Sequence, residues 1–238
     1  MKNSIEVINL SKSYKTKKAV NNISFKIDEN EIVGLLGPNG CGKTTTIGMI
    51  LGLLKPTSGQ VLINGKNIEN NKISILHKMN FISPYIELPK KLTVKQNLIV
   101  YGKLYNIKNL NERINFLSEK LRLGDLLDKI TGELSSGQKN RVSLAKALIN
   151  DPTVLLLDEP TAALDPETAD FIRTFLEKLR EEKKISVLLA SHNMNEVKRL
   201  CNSVMMMKDG NIVDGGTPED LIEKYGQKNL EEVFLEIV

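Results

Sequence analysis

Apolar residues are spaced along this chain in two ways, and the two spacings predict different elements. Residues 4–10 alternate apolar with polar positions and read as a strand, and residues 23–27 read as another. Residues 31–36, 154–157 and 185–190 are nearly unbroken apolar runs, the pattern of strands buried on both faces of a parallel sheet. Val61-Leu62-Ile63 followed by Asn64-Gly65 predicts a strand entering a tight turn. Residues 204–207, Asp209-Gly210 and Ile212-Val213 predict a hairpin, with Met205, Met206 and Met207 as strand core. Helical spacing begins at residues 43–54. It returns at 93–105 (Val94, Leu98, Tyr101, Tyr105), 111–123 (Ile114, Leu117, Leu121), 137–149 (Val142, Ala145, Leu148) and 168–182 (Phe171, Ile172, Phe175, Leu176, Leu179). Three of these helices fall between Pro89 and Asp151 with no strand between them. The pattern predicts an α/β chain: a mixed, mostly parallel sheet flanked by helices, an N-terminal antiparallel β-layer, and a helical insert over about 86–151.

The stretch between the strand at 31–36 and the helix at 43–54 is Gly37-Pro38-Asn39-Gly40-Cys41-Gly42-Lys43-Thr44, followed by Thr45. It fits G-x-x-x-x-G-K-[ST], the phosphate-binding loop. Glycines let the backbone curl so that successive N–H groups converge on an anion. Lys43 adds a full charge for the β- and γ-phosphates, the Thr44 hydroxyl can ligate Mg²⁺, and the helix that follows adds its dipole. A chance glycine-rich turn would lack this strand-loop-helix context. The chain therefore carries a nucleoside triphosphate site in a phosphate-loop core.

Composition narrows the setting. At 238 residues, with 41% hydrophobic and 26% charged positions, the chain reads as one soluble globular domain over 1–238. No apolar run approaches the length of a membrane span, and Met1-Lys2-Asn3-Ser4-Ile5-Glu6 has no signal-peptide core, so a cytoplasmic location is expected. Two cysteines, Cys41 and Cys201, suit a reducing compartment. Positive charge and a helix N-terminus beside Cys41 predict a lowered thiol pKa, although a small residue that simply fits the loop is the plainer reading. A net charge of +4 permits contact with an anionic surface without calling for nucleic acid.

Other segments carry candidate chemistry. Asp158-Glu159 directly follows the apolar strand at 154–157, and ligands of α/β sheets bind at the carboxyl ends of strands. Asp158 can hold Mg²⁺ with Thr44, and Glu159 can act as general base on an attacking water. Ser191-His192 likewise ends the strand at 185–190. Tyr14, an aromatic in a polar loop, could stack on a base. Leu134-Ser135-Ser136-Gly137-Gln138 opens a helix and forms a second anion site, although the chain has a single phosphate loop to serve.

Taken in order and spacing, the phosphate loop, Leu134-Ser135-Ser136-Gly137-Gln138, Asp158-Glu159, Ala163-Leu164-Asp165 and Ser191-His192 resemble an ATP-binding cassette (ABC) ATPase over about residues 1–215. The five-residue signature is similar to the family's Leu-Ser-Gly-Gly-Gln, with Ser136 for the first glycine. The resemblance implies two cassettes packed head to tail around two ATP molecules. Ser135, Ser136, Gly137 and Gln138 would then serve the partner's nucleotide in trans. It also implies that Tyr14 stacks on adenine, that Asp165 lines the dimer seam, and that His192 touches the γ-phosphate. The partner cassette would be a second copy or a related chain, and a separately encoded transmembrane permease would be the machine driven.

One departure is larger. Aligned on Leu92-Thr93-Val94, the family's glutamine that contacts Mg²⁺ and the attacking water falls on Pro84. Proline has neither donor nor acceptor in its side chain, so Ser83 or water is expected to fill that place and hydrolysis to be slower. The tail over about 216–238, with Asn229-Leu230-Glu231-Glu232-Val233-Phe234-Leu235-Glu236, is similar to the ends of cassettes serving export permeases, as is Ser83-Pro84-Tyr85. The rival expectation is a soluble cassette ATPase acting on ribosomes or DNA, against which stand the single cassette and the lack of a heptad array or strong basic patch.

Overall fold

The computed structural model describes residues 3–15, 17–84 and 86–237. β1 (Asn3–Tyr14) and β2 (Lys17–Asp28) pair antiparallel from Asn3 opposite Asp28 to Tyr14 opposite Lys17. Both outrun their apolar segments, because main-chain pairing continues through polar residues. Tyr14 is therefore the last residue of a strand, which corrects the expectation of a loop. The buried apolar side chains of β1 are Ile5, Val7 and Leu10. The step of three falls at a register shift where Asn9 takes a φ of 49°, a left-handed conformation that asparagine tolerates; this bulge resets the alternation.

β3 (Ile32–Leu36) leads through the glycine-rich loop into α1 (Lys43–Ile50). α1 stops before residue 54 because Gly52 adopts a φ of 63°, and the N–H groups of Leu53 and Leu54 both return to Gly48 O. β4 (Ser58–Ile63) and β5 (Lys66–Asn67) complete an antiparallel sheet in the order β2-β1-β4-β5. The Asn64-Gly65 turn between them has positive φ at both residues, 49° and 75°, as that dipeptide predicts.

α2 (Ile68–Leu76) and β6 (Met79–Ile82) were not legible as elements. α2 buries only Ile68 and Ile75 and kinks at Asn71, so it lacks an apolar stripe. β6 is interrupted by Asn80, which is buried because its amide donates to Asn150 Oδ1 (3.0 Å). α3 (Val94–Leu104), α4 (Leu110–Lys120) and α5 (Ser136–Leu148) follow without an intervening strand. Thr93 caps α3, its hydroxyl accepting from Gln96 N while Gln96 Oε1 accepts from Thr93 N.

β7 (Val154–Asp158), α6 (Pro166–Glu182), β8 (Ser186–Ala190), α7 (Met194–Leu200), β9 (Ser203–Lys208), β10 (Asn211–Gly216), α8 (Pro218–Tyr225) and α9 (Leu230–Ile237) end the order. The second sheet runs β10-β9-β3-β8-β7-β6, parallel except for β10. Its central strands separate two cores. Val33, Leu35, Leu156 and Leu188 face the β-layer and α1, while Leu155, Leu157, Val187 and Leu189 face the helices. Burial on both faces explains the unbroken apolar runs. Met205 and Met207 enter the first core and Met206 the second, so the methionine run is strand core as expected.

Leu156 is fully buried one turn of pleat before Asp158. Leu156→Ala is expected to cost about 2–5 kcal/mol and to lower Tm by roughly 5–15 °C. Scanning calorimetry checks this; an unchanged Tm would remove Leu156 from the core.

Candidate nucleotide site

Three parallel strands end at one edge of the large sheet. β3 runs into the loop at 37–42, β7 into Asp158 and Glu159, and β8, which lies between them, into Ser191 and His192. A cavity of about 320 Å³ opens there, lined by the expected Tyr14, Asn39, Gly40, Gly42, Lys43, Thr44, Thr45, Asp158 and Glu159. Lys17 and Ala19 also line it and were not anticipated. The missed signal was pairing: Lys17 stands opposite Tyr14 in the β1–β2 register. A larger cavity of about 490 Å³ between α4 and α6 includes none of these residues.

The loop is held by close packing. A Cβ on Gly37 would sit 2.3 Å from Met207 O and 2.5 Å from Cys41 Sγ, and one on Gly42, at φ 119°, would sit 2.5 Å from Ala19 O. No side chain caps α1, so its first N–H groups are left for a ligand. Lys43 is buried, its Nζ donating to Gly37 O (2.5 Å) and Pro38 O (3.2 Å). Cys41 lies behind the loop. Burial pushes its thiol pKa up, against the opposing effect of Lys43, which corrects the expectation of a lowered value. Pro38, like Gly37 and Cys41, belongs to the loop's frame and not to the cavity lining.

Asp158 is buried, and its Oδ2 accepts from Ser83 Oγ at 3.3 Å. Burial raises its pKa, with the charge of Glu159 adding and Ser83 and Lys43 opposing. A buried carboxylate so disposed is a ready cation ligand, and Thr44, exposed to the same cavity, supplies a hydroxyl oxygen. The donor set fits a phosphate chain with a divalent cation. Glu159 holds a φ of 52°, its N–H donating to Ala190 O (2.8 Å). His192 Nδ1 lies 2.7 Å from Glu159 Oε1, with the histidine side chain 71% exposed and that of Glu159 18%.

A family model described as ABC transporter matches residues 20–162, more than half of the chain. The chain belongs to the ABC transporter family. The ABC transporter ATP-binding protein NatA of Bacillus subtilis is 34% identical over 224 residues, which are 93% of this chain and 91% of that protein. The Nod factor export ATP-binding protein I of Burkholderia lata is 36% identical, over 92% of this chain and 72% of its own length. A dimeric ATP-binding cassette in a post-hydrolysis state with ADP and Pi superposes with a TM-score of 0.81 at 27% identity, covering 90% of this chain and 98% of that one. The chain is thus an ATP-binding, ATP-hydrolysing ABC subunit with the α/β cassette fold. The ribosome or DNA reading gains no support from these relatives.

The remaining ABC signature residues lie apart from the nucleotide cavity. Ser135 caps α5, its Oγ accepting from Gln138 N (3.3 Å) while Gln138 Oε1 accepts from Ser135 N (3.1 Å). Both side chains are engaged in their own helix start. Gly137 packs on Thr168, where a Cβ would sit 3.0 Å from the threonine side chain. Ser136 lines a separate cavity of about 220 Å³ with Ser83, Pro84 and Glu159. Asp165 caps α6 through Thr168 N (2.9 Å), and that hydrogen bond lowers its pKa. Tyr85, expected beside Pro84, lies outside the described residues. Among the described residues no helix is long and apolar enough to cross a membrane.

Proposed function

We propose that this chain, read as one nucleotide-binding domain over 1–238 with a helical subdomain at about 86–151 and a tail at about 216–238, contributes half of a paired ATP site. The loop from Gly37 to Thr45 cradles the phosphates, and Tyr14 stacks on the base. Mg²⁺, held by Thr44 and Asp158, would neutralise charge on the phosphates. Glu159 accepts the proton of the attacking water, and His192 keeps the carboxylate aimed while facing the γ-phosphate. The observation that carries this reading is the 2.7 Å contact of His192 with Glu159 beside a buried Asp158. Ser135, Ser136, Gly137 and Gln138 act on the nucleotide of a second copy or related cassette, with Asp165 at the seam. The absence of all four residues, which open α5, from the lining of the chain's own nucleotide cavity supports that arrangement.

The machine driven is a separately encoded membrane permease, with the chain cytoplasmic and peripheral at the inner face of the membrane and nucleic acid no partner. Export is favoured by the tail resemblance and by the relative named for Nod factor export. A tagged pull-down from detergent-solubilised native cells is expected to recover a polytopic membrane protein in about equal amount. Ribosomal proteins or nucleic acid in its place would overturn the transport reading.

Pro84 supplies no side-chain hydrogen bond, and Ser83 Oγ stands on Asp158 instead. Pro84→Gln supplies a donor and acceptor next to Ser83, which bonds that carboxylate. One added hydrogen bond to the transition state, at about 0.5–1.5 kcal/mol, is expected to raise turnover roughly 2–10-fold in a phosphate-release assay. An unchanged rate and unchanged nucleotide affinity would count against the assignment of position 84.

A further inference from the structure

Glu196 has no part in the chemistry described so far, yet it is 1% exposed. A carboxylate taken out of water is costly unless its oxygens are hydrogen-bonded, and both of these are. Thr161 Oγ1 donates to Oε1 at 2.8 Å, and Ser191 Oγ donates to Oε2 at 2.6 Å. Ser191 is also fixed from its other side, its oxygen accepting from Asn193 N (3.1 Å), while Asn193 Oδ1 accepts from Glu196 N (3.2 Å). Thr161 stands two residues after Glu159, and Ser191 stands one before His192. The two loops that carry Glu159 and His192 are thus pinned to one buried carboxylate.

The pin matters because Glu159 is held in an unusual conformation. Its φ of 52° is uncommon for a residue other than glycine, and such conformations persist only where the surroundings over-determine them. Glu159 N is tied to Ala190 O, Ala162 N returns to Glu159 O (3.1 Å), and Glu159 Oε1 meets His192. The helix carrying Glu196 is anchored in turn. Arg199, on the same helix, donates to Glu177 through Nε (2.8 Å) and to Thr174 through Nη2 (2.8 Å), and pairs with Asp170, all on α6. The β7-to-α6 loop and the β8-to-α7 loop therefore share a rigid base.

We infer that Glu196 is a positioning residue: through Thr161 and Ser191 it sets the distance and angle at which His192 meets Glu159. This rests on the roles proposed for Glu159 and His192. The carboxylate accepts from both hydroxyls at once. A glutamine of the same size keeps one acceptor oxygen, and its amide nitrogen can only donate, so one of the two hydrogen bonds must reverse its direction and the charge that strengthens both is lost.

Glu196→Gln is expected to lower kcat about 10–100-fold, the scale of a small misplacement of reacting groups, with KM for ATP within about twofold. In a His192→Ala background the same substitution is expected to add a smaller loss, because one of the two groups whose meeting it sets is gone. Thr161→Val, which removes one hydroxyl at constant shape, should reproduce part of the fall in kcat and serves if Glu196→Gln does not fold. A drop that is undiminished in the His192→Ala background, or a rise in KM with kcat unchanged, would overturn the positioning role while leaving the site assignment standing. His192→Ala with unaltered turnover would overturn the assignment, and this inference with it.

Discussion

Glu159→Gln is expected to lower ATP turnover roughly 10²–10⁴-fold, the contribution of a positioned general base. Glutamine has the same size and keeps an acceptor oxygen for the His192 ring, so the 2.7 Å contact and the loop conformation at φ 52° are retained. What is lost is basicity alone. Neither the phosphate loop nor Tyr14 is touched, so ATP affinity is expected to stay within a fewfold of the parent. A chain that binds ATP and cannot hydrolyse it should collect in the closed, paired state. Phosphate release under saturating Mg-ATP measures the first effect and static light scattering the second. Only monomer in the scattering, or full turnover, would remove Glu159 from the role of base.

Lys43→Ala is expected to weaken ATP binding about 10–100-fold, corresponding to one charge-assisted hydrogen bond of roughly 1.5–3 kcal/mol. The ammonium is buried and held by two main-chain carbonyls, Gly37 O and Pro38 O, which are neutral partners it can exchange for phosphate oxygens. The loss should follow the phosphates. Binding of AMP, which lacks the β- and γ-groups, should change little, because the base and ribose meet other residues. Titration calorimetry with ATP and AMP separates the two cases. Equal losses for both nucleotides would mean that the substitution had collapsed the loop and not removed a phosphate contact.

The nucleotide side of this site was legible because its residues are close in sequence. A loop of eight residues has to follow a strand and open a helix to work, and all of that lies between residues 31 and 54. Asp158, Glu159 and His192 were found by a second local rule, since each follows an apolar run that can only be a buried strand. Among the elements that escaped, the kinked α2, the Asn80-interrupted β6 and the seven-residue α7 lack a stripe or run, whereas the amphipathic α8 and α9 were read only as a tail. The thiol of Cys41 shows a different limit. The charges near it are adjacent in sequence, whereas the burial that outweighs them comes from the core that Cys41 joins beneath the loop.

By itself the chain's sequence determined the phosphate loop, the strands that deliver the acids, and the family to which the whole belongs, because these depend on local backbone geometry and on the order of motifs. Only the tertiary structure decided which side chains meet. Ser83 reaches Asp158 across 75 positions, His192 reaches Glu159 across 33, and Thr161 and Ser191 converge on Glu196 from separate loops. The sheet order that sets β7 between β6 and β8 brings them together. Apolar periodicity marks which face of a strand is buried, but not which strand lies beside it, and hydrogen bonds between loops follow from that second choice.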